Sequence, residues 1–223
     1  MTKNPFSTPK NRENPQISSK RSRKILKIGW LIMGSAIGKL CNPFPTPKVT
    51  ILLVGPKEAG KTTFLYASRL KPGWSEGDIK PTLGYNYETF STDRAELGIW
   101  DVSGEEFLNP LTRALYRNIK FTAVIFVVQL KVDTKYLIDA KRQLLGLMNE
   151  EPLKSCALAL VFNRRNDQQT QKDEFLAEAF ALSELTHIPA ERKKVFVVNA
   201  RAGGQSDDVY EWLGSLSLRE IAK

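Results

Sequence analysis

Residues 55 to 62 read Gly-Pro-Lys-Glu-Ala-Gly-Lys-Thr, directly after the apolar run Val49 to Val54. A G-x-x-x-x-G-K-[ST] octet at the end of a strand is a phosphate loop. Its glycines let main-chain N–H groups of Lys57, Glu58, Ala59 and Gly60 converge on phosphate oxygens, and the helix that follows presents its positive end to the same anion. Gly55 and Gly60 frame the turn, Lys61 supplies a point charge to the outer phosphates, Thr62 supplies a hydroxyl to Mg2+, and Thr63 continues the first helical turn. The feature constrains the fold as much as the ligand, because a strand, a tight loop and a helix must follow one another within about fifteen residues.

Two further segments stand at intervals downstream. Pro81-Thr82-Leu83-Gly84-Tyr85-Asn86 places Thr82 twenty residues after Thr62, and Trp100-Asp101-Val102-Ser103-Gly104 closes another apolar stretch. Together with the loop they resemble the Arf and Arf-like branch of the small GTPases, over about residues 49 to 217. The resemblance implies that Thr82 closes over Mg2+ and the last phosphate. It implies also that Asp101 holds a magnesium water and that the Gly104 N–H meets the terminal phosphate. Thr62, Thr82 and Asp101 are then the metal set, with Mg2+ as cofactor and GTP or GDP as ligand. Lys61, Gly104 and the residue after it carry hydrolysis.

That residue is Glu105, where the family has glutamine. A glutamine offers a donor and an acceptor to the attacking water, whereas a carboxylate offers acceptors only and brings negative charge toward the phosphate. Slow intrinsic hydrolysis is the expectation. The family's guanine motif N-K-x-D has a counterpart in Asn163-Arg164-Arg165-Asn166-Asp167. In one register Asn163 keeps its place, Arg164 replaces lysine and Asn166 replaces aspartate; a shift of one restores Asp167 and loses the asparagine. The first register is preferred because asparagine closes the strand. It gives up a charge-assisted hydrogen-bonded pair, each bond worth about 1.5 to 3 kcal/mol, and blunts guanine selectivity. Asn199-Ala200-Arg201 resembles the family's S-A-x loop, whose alanine N–H meets the base carbonyl. Tyr85, Trp100 and Tyr116 match its exposed aromatic trio, an effector surface; ordinary sheet packing is the competing reading of all three.

The remaining pattern fits a doubly wound, mostly parallel α/β sheet with helices on both faces. Phe121 to Val128, Ala157 to Phe162 and Val195 to Val198 are continuous apolar, β-branched runs suited to strands buried on both sides. Between them Tyr136, Leu137, Ala140, Leu144, Leu145 and Met148 recur at helical spacing. In such sheets ligands bind at the carboxyl ends of the strands, where the loop, Asp101, Asn163 and Asn199 fall. Trp212 reads as core on a closing helix, Cys156 as a buried thiol, and the lone His187 as neither catalytic nor a metal ligand.

Composition divides the chain. Residues 1 to 48 hold ten Lys or Arg against Glu13 alone, so the whole formal charge of +9 sits there, and the rest carries 23 basic and 23 acidic side chains. A balanced domain and a tail without interleaved aromatics argue against nucleic-acid binding. We read 1–24 as a disordered basic tail and 25–41 as an amphipathic helix. Residues 42–48, with Pro43, Pro45 and Pro47, form a stiff linker, and 49–223 the GTPase domain. The apolar arc from Ile25 to Leu40 is shorter than the roughly 20 residues that span a bilayer. Beside Lys20-Arg21-Ser22-Arg23-Lys24 it suits a helix lying in an anionic membrane surface. Packing on its own domain and a mitochondrial transit peptide are the other two readings. Thr2 replaces the glycine that myristoylation needs, no prenylation cysteine ends the chain, and Cys41 could accept palmitate. The expected whole is a monomeric switch, peripheral on the cytosolic face of an intracellular membrane. Its expected partners are effectors, an exchange factor and a GTPase-activating protein. A nucleotide-retaining scaffold without turnover is the alternative.

Overall fold

A computed structural model describes residues 46–67, 81–104, 110–130, 133–164, 173–202 and 205–221. The tail, the 25–41 helix, Cys41, Glu105, Asn166 and Asp167 lie outside the described residues. Among the described residues six strands form one sheet in the order β2-β3-β1-β4-β5-β6: β1 Lys48–Val54, β2 Tyr85–Ser91, β3 Glu96–Val102, β4 Ala123–Gln129, β5 Ala157–Asn163 and β6 Lys193–Val198. All neighbours pair in parallel except β2 with β3, a hairpin that leaves β2 antiparallel on the edge. The central strands are buried along their whole length because helices cover both faces, which is why their sequences run apolar without alternation.

Among the described residues there are five α-helices, α1 Lys61–Ala67, α2 Pro110–Asn118, α3 Thr134–Met148, α4 Asp173–Ala179 and α5 Gln205–Ile221, the last of which follows β6. Phe64 and Leu65 of α1 and Val209, Tyr210 and Leu213 of α5 join Ile51, Leu53 and Ile125 in the core on one face. Tyr116 of α2, Ala140, Leu144 and Met148 of α3 and Leu176 of α4 join Leu52, Val54 and Phe126 on the other. The start of α3 is fixed by Asp133, whose carboxylate accepts from the amides of Lys135 and Tyr136 and so caps the helix.

Two expectations shift in detail. The fourth strand begins at Ala123 rather than Phe121; just before it Thr122 bonds to Thr50 through both main chain and side chain, its N–H donating to Thr50 O at 2.9 Å while its Oγ1 accepts from Thr50 N at 3.0 Å and donates to Thr50 O at 3.1 Å. The core anchor of α5 is Tyr210, fully buried against Phe64 and Phe90, with ring centroids 5.5 and 4.8 Å away. Trp212 is only half-buried, edge-on to Phe196. Cys156 is buried as expected, and burial pushes its thiol up to about 12 while Sγ donates to Phe121 O at 3.3 Å. His187 Nε2 lies 3.0 Å from Met148 O, at the end of α3.

Candidate nucleotide site

β1 sits between β3 and β4, so the chain leaves it toward one side of the sheet and later returns on the other. The crevice at the carboxyl end of such a strand is where ligands bind in open α/β sheets. The Gly55–Gly60 loop lies in that crevice. Gly55 has φ +146 and Gly60 φ +86, backbone that side chains rarely adopt; a Cβ on Gly55 would run into Val127 O, and one on Gly60 into Asn163 Nδ2. Glu58 also has positive φ, at 62, which turns the loop between the two glycines. Lys57 and Glu58 are exposed, while Ala59 is buried.

Lys61 opens α1 with its side chain folded back under the loop. It is 7% exposed, and Nζ donates to Gly55 O and Pro56 O, both at 3.1 Å. Burial pulls its pKa down to about 8, with Asp101 acting in the opposite direction. An ammonium held at the edge of neutrality by desolvation gains most from an anion brought beside it.

Thr62, Thr82 and Asp101, from three separate segments, form one cluster. Thr62 Oγ1 donates to Asp101 Oδ2 at 2.9 Å, Thr82 Oγ1 lies 3.3 Å from the same oxygen, and the two hydroxyls are 3.0 Å apart. Thr63 is half-buried on α1. Asp101 is fully buried, and its Oδ1 has no hydrogen-bond partner among the described residues. Burial pushes its carboxyl above the usual range, against the downward pull of Thr62, Lys61 and Thr82. One orphaned carboxylate oxygen beside two hydroxyls is the donor set a small hard cation takes. Mg2+ keeps several waters and needs few protein ligands, so these residues fit it. Gly104 closes the site: a Cβ there would lie 2.6 Å from Lys61 Nζ.

Asn163 reaches across the crevice from β5. Its Nδ2 donates to Ala59 O at 3.0 Å and its Oδ1 accepts from Ala200 N at 3.1 Å, so one buried amide joins the phosphate loop to the loop after β6. Arg164 is half-buried, its amide donating to Val198 O. Asn199 turns that second loop by accepting from the amides of Arg201 and Ala202, and its own N–H donates to Gln205 Oε1. Ala200 is fully buried and Arg201 exposed.

The aromatic surface differs from expectation in one member. Tyr85 and Tyr87 are 44% and 52% exposed and flank Trp100, with ring centroids 5.2 and 4.8 Å from it. Gly98 makes room for Tyr87, since a Cβ there would lie 2.7 Å from the phenol oxygen. Tyr116 does not belong to this exposed group: it is 2% exposed and packed in the core. On a helix adjacent positions face different sides, and here Leu115 takes the half-buried place against the core that Trp100 also packs on. Tyr87 and Leu115 were missed in the sequence, although the alternation Tyr85, Tyr87, Thr89 is a strand signal. So was Gln129, buried at the end of β4 opposite Asn163 in the register, its Oε1 unpartnered among the described residues. The Tyr66 hydroxyl donates to Glu88 at 3.0 Å, tying α1 to the edge strand.

Comparison with known proteins agrees with this geometry. The fold is similar to that of the Arl6 (BBS3) small GTPase from Trypanosoma brucei, solved with the nucleotide analogue GppNp bound. The TM-score is 0.64 at 24% identity, over 77% of this chain and 98% of that one. The family model described as ADP-ribosylation factor family matches residues 35–216, opening upstream of β1 and closing within α5. The chain therefore belongs to the ADP-ribosylation factor (Arf) family of small GTPases.

Proposed function

We propose that the protein is a guanine-nucleotide switch that takes GTP and GDP with Mg2+, hydrolyses GTP slowly and recruits partners at the cytosolic face of a membrane. The observation that carries this reading is the Thr62–Thr82–Asp101 cluster. A hydroxyl from the phosphate-loop helix, one from a separate segment and a buried carboxylate share hydrogen bonds. A group that engages the Asp101 carboxylate is one bond away from both threonine segments, which is what a switch requires.

Bound there, Mg2+ supplies charge neutralisation and fixed orientation to the outer phosphates. Thr62, Thr82 and Asp101 are the residues that would hold it, and Lys61 would balance the remaining charge. Asn163 aligns the phosphate loop with the loop that carries the Ala200 N–H, so phosphate and base contacts are set in one frame. Glu105 in place of glutamine supports slow hydrolysis. Residues 20–41, basic then apolar, support membrane attachment. Tyr85, Tyr87 and Trp100 support partner docking, since rigid aromatics supply apolar area at low entropy cost. Glu105 also favours a second reading, a scaffold that keeps its nucleotide without turnover.

The test is to identify the nucleotide that copurifies with the full chain, then to measure exchange, single-turnover hydrolysis and vesicle binding in both nucleotide states. The switch reading expects guanine nucleotide, Mg2+-dependent retention and a measurable rate that rises about tenfold or more in Glu105→Gln, a barrier change of about 1.4 kcal/mol. A protein empty of nucleotide sinks both readings; a retained GTP that never turns over, in either form, leaves the scaffold.

A further inference from the structure

The phosphate loop contains a second lysine, and its place is set by Gly104. A Cβ built on Gly104 would lie 2.6 Å from Lys61 Nζ, 2.7 Å from Lys57 N and 2.8 Å from Lys57 Cα. The backbone of Lys57 and the ammonium of Lys61 thus border the same point at the carboxyl edge of the sheet. The two side chains differ in environment. Lys61 is buried, with Nζ on Gly55 O and Pro56 O, whereas Lys57 is exposed on the rim of the loop. A lysine in this loop reaches the outer phosphates of a bound nucleotide, so the point beside Lys61 Nζ is where an outermost phosphate ends. The Lys57 Cα lies 2.8 Å from a Cβ built on Gly104, and its flexible four-carbon stem, long enough to reach the same neighbourhood, carries a compact cation.

Resting on the reading of this loop as a nucleotide site, we propose that Lys57 donates its ammonium to the terminal phosphate of a bound nucleoside triphosphate. It would thereby act as a specificity residue for triphosphate over diphosphate. The inner phosphates are met by main-chain amides, which both nucleotides share, and Lys61 reaches the last two phosphates, of which a diphosphate keeps one; a contact confined to the outermost group acts on the triphosphate alone. The chain also supplies a reason for a second cation, since Glu105 follows Gly104 and brings a carboxylate into the same stretch of sequence.

The experiment is calorimetry on the full-length protein in Mg2+, titrating GDP and a non-hydrolysable GTP analogue into wild type, Lys57→Met, Lys57→Gln and Lys57→Arg. The two neutral variants are expected to lower the ratio of analogue affinity to GDP affinity by about tenfold or more, equal to about 1.4 kcal/mol. Lys57→Arg, which keeps the charge, is expected to stay within about threefold of wild type. In phosphorus NMR of the analogue complex, the outermost resonance should move most in Lys57→Met. An unchanged ratio in both neutral variants overturns the proposal, and so does an equal loss for both nucleotides, which would make Lys57 a loop-shaping residue. Wild-type protein that binds neither nucleotide removes the underlying site reading as well, an outcome separate from either of these.

Discussion

The two sides of the crevice secure their functional groups by different means. On the β1–β3 side, Lys61, Thr62, Thr82 and Asp101 are buried or half-buried and bonded to one another or to the loop. On the β5–β6 side, among the described residues, the Asn163 side chain makes both long-range bonds, and the rest of the frame is local: Arg164 N to Val198 O in the main chain, and the Asn199 and Gln205 side chains on nearby amides. The first side depends on charges and hydroxyls that need one another, because a buried carboxylate and a buried ammonium are tolerated only with their partners. The second depends on neutral amide side chains, those of Asn163, Asn199 and Gln205, that accept from or donate to main chain. That contrast accounts for a sequence in which the phosphate-side motifs are intact while Arg164 to Asp167 departs from the family's N-K-x-D.

The contrast can be broken most sharply at Lys61. Lys61→Ala is expected to weaken GDP and GTP-analogue binding by about 100-fold or more, about 2.7 kcal/mol in calorimetry; a loss below tenfold would mean that the phosphate side is not held by charge. Asn163→Ala should come next. It leaves Ala59 O and Ala200 N without their buried partner, each worth about 1 to 3 kcal/mol, and nucleotide dissociation followed by fluorescence should accelerate by about tenfold or more. If release is unchanged, the two sides are independent. A smaller effect is expected at the base motif: Asn166→Asp should raise the preference for guanine over adenine nucleotide by about tenfold, the worth of one charge-assisted bond. Asp167→Asn is its counterpart, and a fall in selectivity there instead assigns the role to Asp167 and the other register.

The smallest effect is a control from the opposite edge of the sheet. The Cys156 thiol, pushed up to about 12, stays protonated in the fold at pH 8, so alkylation should be slow with or without nucleotide. The unfolded thiol ionises near its ordinary value of 9.0. This group therefore lowers stability only as pH rises from about 9 toward 12, and contributes no pH dependence below that window. Rapid labelling of native protein at pH 8 would show that this edge opens.

What could be read from the sequence follows the same physics. β1, β4 and β5 were legible because a strand covered on both faces must be apolar throughout, and α3 because one face alone is buried. β2 was not recognised as a strand, since an edge strand carrying exposed Tyr85 and Tyr87 has no continuous apolar run. Lys61, Thr62, Thr82 and Asp101 were legible because their chemistry is tied to fixed spacing. The bonds from Asn163 to Ala59, 104 residues away, and to Ala200, 37 away, have no local signal. Nor does the choice between Leu115 and Tyr116, which turns on the rotation of α2 against the core.

Tyr210 has a consequence for how the molecule is made. It is the residue against which Phe64 near the start of the domain and Phe90 on the edge strand both rest. As the chain is synthesised from its amino end, those two rings have no partner at this position until α5 leaves the ribosome. The nascent domain therefore keeps the apolar faces of Phe64 and Phe90 uncovered at this position until α5 is translated.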